Sequence, residues 1–256
     1  MSTDRQLFDY LLRLGDNALV LAQRLGEWVG HGPALEEDIA LTNVGLDLLG
    51  QTRFWLSYAG EVEARFAGAG RGEDALAFLR ESGSFRNLLL VERPNGNYAD
   101  TMARQFYFDQ WPLLLLAALA QSRDPRIAEI AAKALKEVTY HAERSVDWVI
   151  RLGDGTDESH AKMQASIDEL WSYTGEMFHA DETEIALAAE GIGCDARALE
   201  PRWRETVAAV LAEATLTLPS GTWMQRGGKQ GVHSEELGRM LATMQHLQRA
   251  YPEAQW

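Results

Sequence analysis

Cysteine is almost missing from this 256-residue sequence: Cys194 stands alone, which excludes an internal disulfide and any multi-cysteine metal centre. That economy suits a reducing compartment, and a cytoplasmic location is the expectation. Cations are scarce too. Lysine and arginine total 24 against 38 acids, a formal charge of −14 that argues against nucleic acid or an anionic membrane as the principal partner. The longest apolar run, Leu113 to Ala120, is far too short to span a bilayer. The opening stretch through Asp9 is charged where a secretory signal needs an apolar segment. Alternating β-branched residues nowhere outweigh the helical period, so almost no sheet is expected.

What is present is helical periodicity over a length ample for one large domain. A first helix is expected over about 3–29, with Leu7, Leu11, Leu14, Ala18, Leu21, Leu25 and Trp28 on one face and Gly30, Gly32 and Pro33 ending it. A second over about 34–66 has Ile39, Asn43, Leu46, Gly50 and Phe54 near one line and Ala40, Val44, Asp47 and Gln51 beside them, an inner face that is unusually small and polar. The glycines of 68–72, a short helix at 73–80 and an apolar piece at 85–91 form a long crossing segment. A third long helix, about 98–121, contains Pro112, which should kink it. Further helices are expected at about 125–152 and 156–177, after Asp181, from Pro201, and at 234–250, with a loop over 217–233. The fold class is therefore all-α: a ferritin-like four-helix bundle with additional C-terminal helices, in a single domain.

The helix over 125–152 concentrates the chemistry. Asp124 is a good N-cap with Pro125 at the first helical position, and Ile127, Ile130, Ala134, Val138, Ala142, Ser145 and Val149 form its apolar stripe. Glu137 and His141 join that stripe. Di-iron bundles need a Glu from each of two helices and Glu-x-x-His from the other two. Here Tyr140 stands three residues after Glu137, and the histidine comes one residue late. Asp47 is the best acid of the second helix, but Gly50, three residues on, has no donor atom; Asp109 is the nearest acid of the third. Asp16 and Glu27 fall off the first helix's stripe. Asp47, Asp109, Glu137 and His141 are too few ligands for two irons, so Glu137 and His141 read as a buried, hydrogen-bonded polar pair. The only strict Glu-x-x-His, Glu176 to His179, sits at a helix end, and its role stays open.

Other chemistries fail on spacing. The segment Arg226 to Gly231 lacks the first glycine and the Ser or Thr of a P-loop, though Lys229 could still hold a phosphate. The glycines at 68–72 follow a helix rather than a strand, and no G-x-S-x-G elbow occurs. The eight tryptophans fall mostly at helical apolar positions, where packing is the expected role.

A series of motifs in order, Leu12 to Asn17, Gln23 to Trp28, Asn43 to Gln51, Asn87 to Glu92, Pro94 to Asn97, Lys136-Glu137, Tyr140-His141 and Gly227 to Lys229, resembles the C subunits of bacterial phenylacetyl-CoA 1,2-epoxidases. The resemblance runs from about residue 10 to the end. It implies a ferritin-like, non-catalytic structural subunit paired with a homologous catalytic A subunit. That partner would hold the two irons, and a small B subunit and an NADPH-dependent reductase would complete the assembly. No cofactor is then expected on this chain, and Asp47, Gly50, Asp109, Glu137, Tyr140 and His141 mark degenerate metal positions. The alternative is a di-iron oxidase or oxygenase with an unusual ligand set.

If the chain meets an acyl-CoA or the partner that holds it, phosphate charges call for a local concentration of cations. The crossing segment offers Arg80, Ser84, Phe85, Arg86 and Asn87, with Arg93 nearby, and Lys229 with Arg226 forms a second patch. The other reading pairs these arginines with Glu81 and Glu92. Arg86 has no acid beside it in sequence.

Overall fold

The computed structural model describes residues 3–252 and Ala254. Among the described residues every regular element is helical and none is a strand, so the chain is all-α as expected. No helix among them is long and apolar enough to cross a membrane. The chain divides into two compact units: the described residues up to Arg93 with those from Gly227 onward, and Pro94–Arg226.

The first unit is built on α1 (Thr3–Gly26) and α2 (Leu35–Ala67), which pack against each other along their length. From Tyr10 to Leu25 every α1 residue except Gln23 is buried, so this helix has no solvent face there and Asp16 lies inside. That corrects the one-sided stripe that left Asp16 outside it. The physical reason is that a helix covered on several sides needs apolar residues all round, and Leu11, Leu12, Leu14 and 18–22 supply them.

On α2 the inner face expected from sequence is right only in part: Val44 and Gln51 are buried, but the line through Ile39 and Leu46 is not. Ile39 and Leu46 are 52% and 59% exposed, while Leu41, Val44, Leu48, Trp55, Leu56 and Ala59 form the buried face. Both lines obey the helical period, and the bulkier one is buried because it removes more apolar surface from water. α2 ends at Gly68, whose φ of 83° is the left-handed cap.

After α2 come α3 (Glu73–Phe78), a 3-10 turn at Ser82–Ser84 and the one-turn α4 (Leu89–Glu92). The unit closes with a 3-10 turn at Gly228–Gln230. The helix expected over 234–250 is divided at Gln245, whose amide donates to the carbonyls of Ala77 and Arg80 at 3.1 Å each.

The second unit begins with α5 (Tyr98–Leu119), whose capping box joins Asn97 and Asp100. α5 runs as one helix with Pro112 inside it. α6 (Pro125–Gly153) matches its sequence reading closely: Asp124 accepts from the Arg126 and Ile127 amides, and the whole predicted stripe is buried. α7 (Asp157–Trp171) ends six residues early, and a 3-10 turn at Gly175–Phe178 replaces its last turns. α8 (Glu182–Ala189), a 3-10 turn at Ala196–Leu199 and α9 (Glu200–Glu213) complete the unit. Its core is aromatic. Trp203 lies 5.8 Å from Tyr107, 6.1 Å from Trp171 and 5.2 Å from Phe178, ring centre to ring centre, and its indole donates to the Tyr107 carbonyl at 3.1 Å. Trp203→Ala should therefore cost about 3–5 kcal/mol, read as a lower urea midpoint at unchanged slope.

Candidate functional site

The cations of the crossing segment turn inward. Arg80, only 3% exposed, lays its guanidinium 4.2 Å from the Phe85 ring centre and forks onto both carboxylate oxygens of the fully buried Asp16. Its Nε donates to the Leu76 carbonyl and its Nη1 also to the Ser84 carbonyl, 3.0 Å away. The Arg86 amide adds a 2.8 Å bond to Asp16. The Arg86 side chain pairs with Asp9 of α1 at 3.0 Å and bonds the Gly83 and Phe85 carbonyls. Asn17, next along α1, accepts the Leu88 amide at 2.8 Å.

Thus Arg80 and Arg86 pair with α1 rather than with Glu81 or Glu92, and Arg86 does have an acid partner. The expectation of free cations here is corrected: a guanidinium that is buried and bidentate to a carboxylate is not available to a phosphate. Phe85, Asn87 and Lys229 are buried as well, leaving Ser84 exposed and Arg86 half-buried.

Glu92 forms the second half of this network. One of its oxygens accepts from Asn87 at 2.9 Å and meets His233 Nδ1 at 2.5 Å, while the other accepts from the Ser234 amide and hydroxyl at 2.9 and 2.6 Å. His233 Nε2 faces the Phe85 carbonyl at 3.0 Å. Both ring nitrogens therefore point at acceptors, a geometry that only the doubly protonated ring satisfies. Burial opposes the charge, yet the Glu92 and Phe85 bonds and the Asp16 carboxylate outweigh it and raise the His233 pKa above its ordinary 6.5.

The glycines around Lys229 have a steric role in this docking. A side chain at Gly228 would fall on the Asn87 carbonyl, and Gly231, at φ 80°, would meet the Gly83 carbonyl. Sequence reading missed Asp9, Asp16, Asn17, Glu92, His233 and Ser234. The signal for Asp16 is the continuous apolar wrapping of α1; nothing local announces the others.

The network can be probed at each half. Arg80→Ala strands Asp16 without its partner and should cost about 3–5 kcal/mol; the double variant Asp16→Leu/Arg80→Met should recover most of it in urea titrations. For His233 the folded pKa lies above the unfolded one, so its contribution is complete below about pH 6.5 and is lost as pH rises through the folded value. The stability gap between parent and His233→Gln should accordingly be widest near pH 6 and narrow in alkali.

The second unit holds its own buried polar set on α5 and α6: Arg104, Gln105, Asp109, Gln110, His141 and Ser145. Burial raises the Asp109 pKa to about 7, against the downward pull of a Ser145 hydrogen bond and the Arg144 and Arg104 charges. His141 is 2% exposed, Glu137 is half-buried at the edge of the stripe and Tyr140 points outward at 53%. In the first unit Asp47 is half-buried, and a side chain at Gly50 would enter open space. Glu176 lies within a 3-10 turn rather than an α-helical one and is buried, and His179 caps the turn. Among the described residues, no group of three or more His, Cys, Asp or Glu side chains is placed to hold a metal ion.

Because the folded Asp109 pKa is raised, its contribution to stability is lost as pH climbs from about 4 to about 7. Asp109→Asn escapes that loss. Relative to the parent it should gain up to about 1.4 kcal/mol per pH unit across this window, seen as a melting temperature that holds up better at pH 8 than at pH 5.

Fold and sites together define an all-α protein in which Asp16, Arg80 and Glu92 are buried and bonded to one another's segments and to backbone. The sequence matches the model of the phenylacetic acid catabolic protein family over residues 1–256. It is also 56% identical over 252 residues to the C subunit of the 1,2-phenylacetyl-CoA epoxidase of Escherichia coli (strain K12), covering 98% of this chain and 99% of the relative. The chain belongs to the phenylacetic acid catabolic protein family.

Proposed function

We infer that this chain is the non-catalytic structural subunit of a phenylacetyl-CoA 1,2-epoxidase complex, pairing with a homologous subunit that carries the two irons. The observation that carries this reading is the donor set: Gly50 has no ligand atom, Tyr140 faces outward and Asp109 is held near neutrality among guanidiniums. The relative's designation as a subunit supports it. A small B subunit and a reductase delivering electrons from NADPH belong to the same reading, on other chains. The crossing segment serves this role by holding α1 in place, since its cations are neutralised by Asp9 and Asp16.

A surface for the homologous subunit is offered by α2. Leu35, Ile39, Leu46 and Leu49 follow one another at helical spacing and are 72%, 52%, 59% and 42% exposed. An apolar stripe of this kind on a water-facing helix marks an interaction face.

The test is to purify the chain with its neighbours and analyse the metal of each separated subunit. Iron should follow the homologous subunit, with this chain near zero; close to two irons per copy of this chain would overturn the reading. Leu46→Glu should weaken assembly at least tenfold and leave the melting temperature of the isolated chain within a degree or two.

A further inference from the structure

The coil that follows α9 is apolar and polar by turns, and it is fixed to the second unit at several points. Gln164 brackets Thr217, accepting its amide at 2.7 Å and donating to its carbonyl at 3.0 Å. The Trp171 indole donates to the Gly221 carbonyl at 2.9 Å, and the Gln225 amide bonds the Ser172 carbonyl at 2.8 Å. Met224 fills the space beside Gly175, where a side chain would collide with it. Between these anchors Trp223 projects outward, 71% exposed. A coil pinned on both sides of its tryptophan presents that ring with little entropy left to lose.

The same coil borders a groove of about 450 Å³ lined by Arg204, Arg226, Ser220 and Thr222, with Trp171 and Phe178 as its aromatic residues and Glu200 as its carboxylate. Arg204 is engaged by Glu200 at 2.8 Å and lies over the Trp171 ring. Among the described residues the exposed Arg226 makes no ion pair, and the Ser220 and Thr222 hydroxyls make no hydrogen bond. On a chain of formal charge −14, this is a place where cation and donors outnumber acids. Tryptophan and arginine are among the residue types most enriched at binding hot spots.

We propose that the 217–226 coil is a second docking surface, and that its occupant is a carboxylate-bearing segment of another subunit of the complex, seated with its acid on Arg226 and an apolar side chain on Trp223. The proposal rests on the subunit reading given above. Charge complementarity selects the occupant: the free guanidinium and the two hydroxyls are all donors, and an acidic peptide supplies acceptors.

Trp223 is the one fully outward-facing tryptophan among the described residues, so its fluorescence reports the contact directly. The experiment compares parent, Trp223→Ala, Arg226→Glu and the α2 variant Leu46→Glu, each co-purified with the other subunits and assayed by subunit dissociation and acrylamide quenching. Assembly of the parent should shield an accessible tryptophan signal that Trp223→Ala lacks. Trp223→Ala and Arg226→Glu should each raise a subunit's dissociation constant at least tenfold, with Arg226→Glu also flattening the dependence on salt.

Affinities equal to the parent for both coil variants, alongside weakened assembly in Leu46→Glu, would overturn the coil proposal and leave the subunit reading standing. A parent chain that assembles with nothing overturns both. Saturable quenching of Trp223 by inorganic phosphate, lost in Arg226→Glu while assembly is unchanged, would assign the groove to a small oxyanion and overturn the peptide.

Discussion

The buried pair of Asp16 and Arg80 is the interaction on which the first unit depends. An ionised carboxylate with no solvent contact is tolerated only where charge and hydrogen bonds replace its water. Asp16 receives two bonds from one guanidinium and a third from the Arg86 amide. Because those donors come from the crossing segment 64 and 70 positions away, the charge on α1 dictates where that segment runs. Once it is there, Asn17 takes the Leu88 amide and Glu92 is brought inside to receive His233 and Ser234. The path of the chain from α2 onward is thus decided by electrostatics, while apolar burial on α1 supplies the driving force.

The crossing segment's cations and the glycines near Lys229 suggest phosphate recognition in sequence and do something different in the fold. Arginine suits both jobs for the same reason, a planar fork that matches an oxyanion in two places. Which oxyanion it meets depends on the three-dimensional neighbour. The glycine-rich stretch likewise needs its small residues for close backbone approach, which is also the reason a phosphate loop needs them. Motif chemistry and structural chemistry use the same residues, so spacing alone does not separate them here.

Legibility followed the range of the determining interactions. The bounds of α6 were readable because Asp124, Pro125 and the stripe from Ile127 to Val149 act within the helix itself. The buried face of α2 was not, because two lines of residues share the helical period and only the packing partner chooses between them. The end of α7 was missed because Thr174, bonding back to the Trp171 carbonyl ahead of Gly175, tightens the chain into a 3-10 turn within a stretch whose apolar period continues to Met177. Of the site residues, His141 was correctly placed inside and Tyr140 gave the broken motif. Asp9, Asp16 and Glu92 depend on partners far away in sequence, and no local pattern carries that information.

The second unit places polar and ionisable side chains on the buried faces of α5 and α6. A carboxylate on such a face has three ways to lose its charge penalty: coordinate a cation, pair with a guanidinium or keep its proton. Asp109 takes the last, with burial lifting its pKa to about 7 while the Ser145 hydrogen bond and the Arg144 and Arg104 charges pull it back. Its bond with Ser145, one turn beyond His141, sits in the same stretch of α6 as the shifted Glu-to-His spacing. Under the proposed reading, α5 and α6 need only stay well packed and present a constant surface to a partner, and a hydrogen-bonded carboxyl near its pKa meets that requirement.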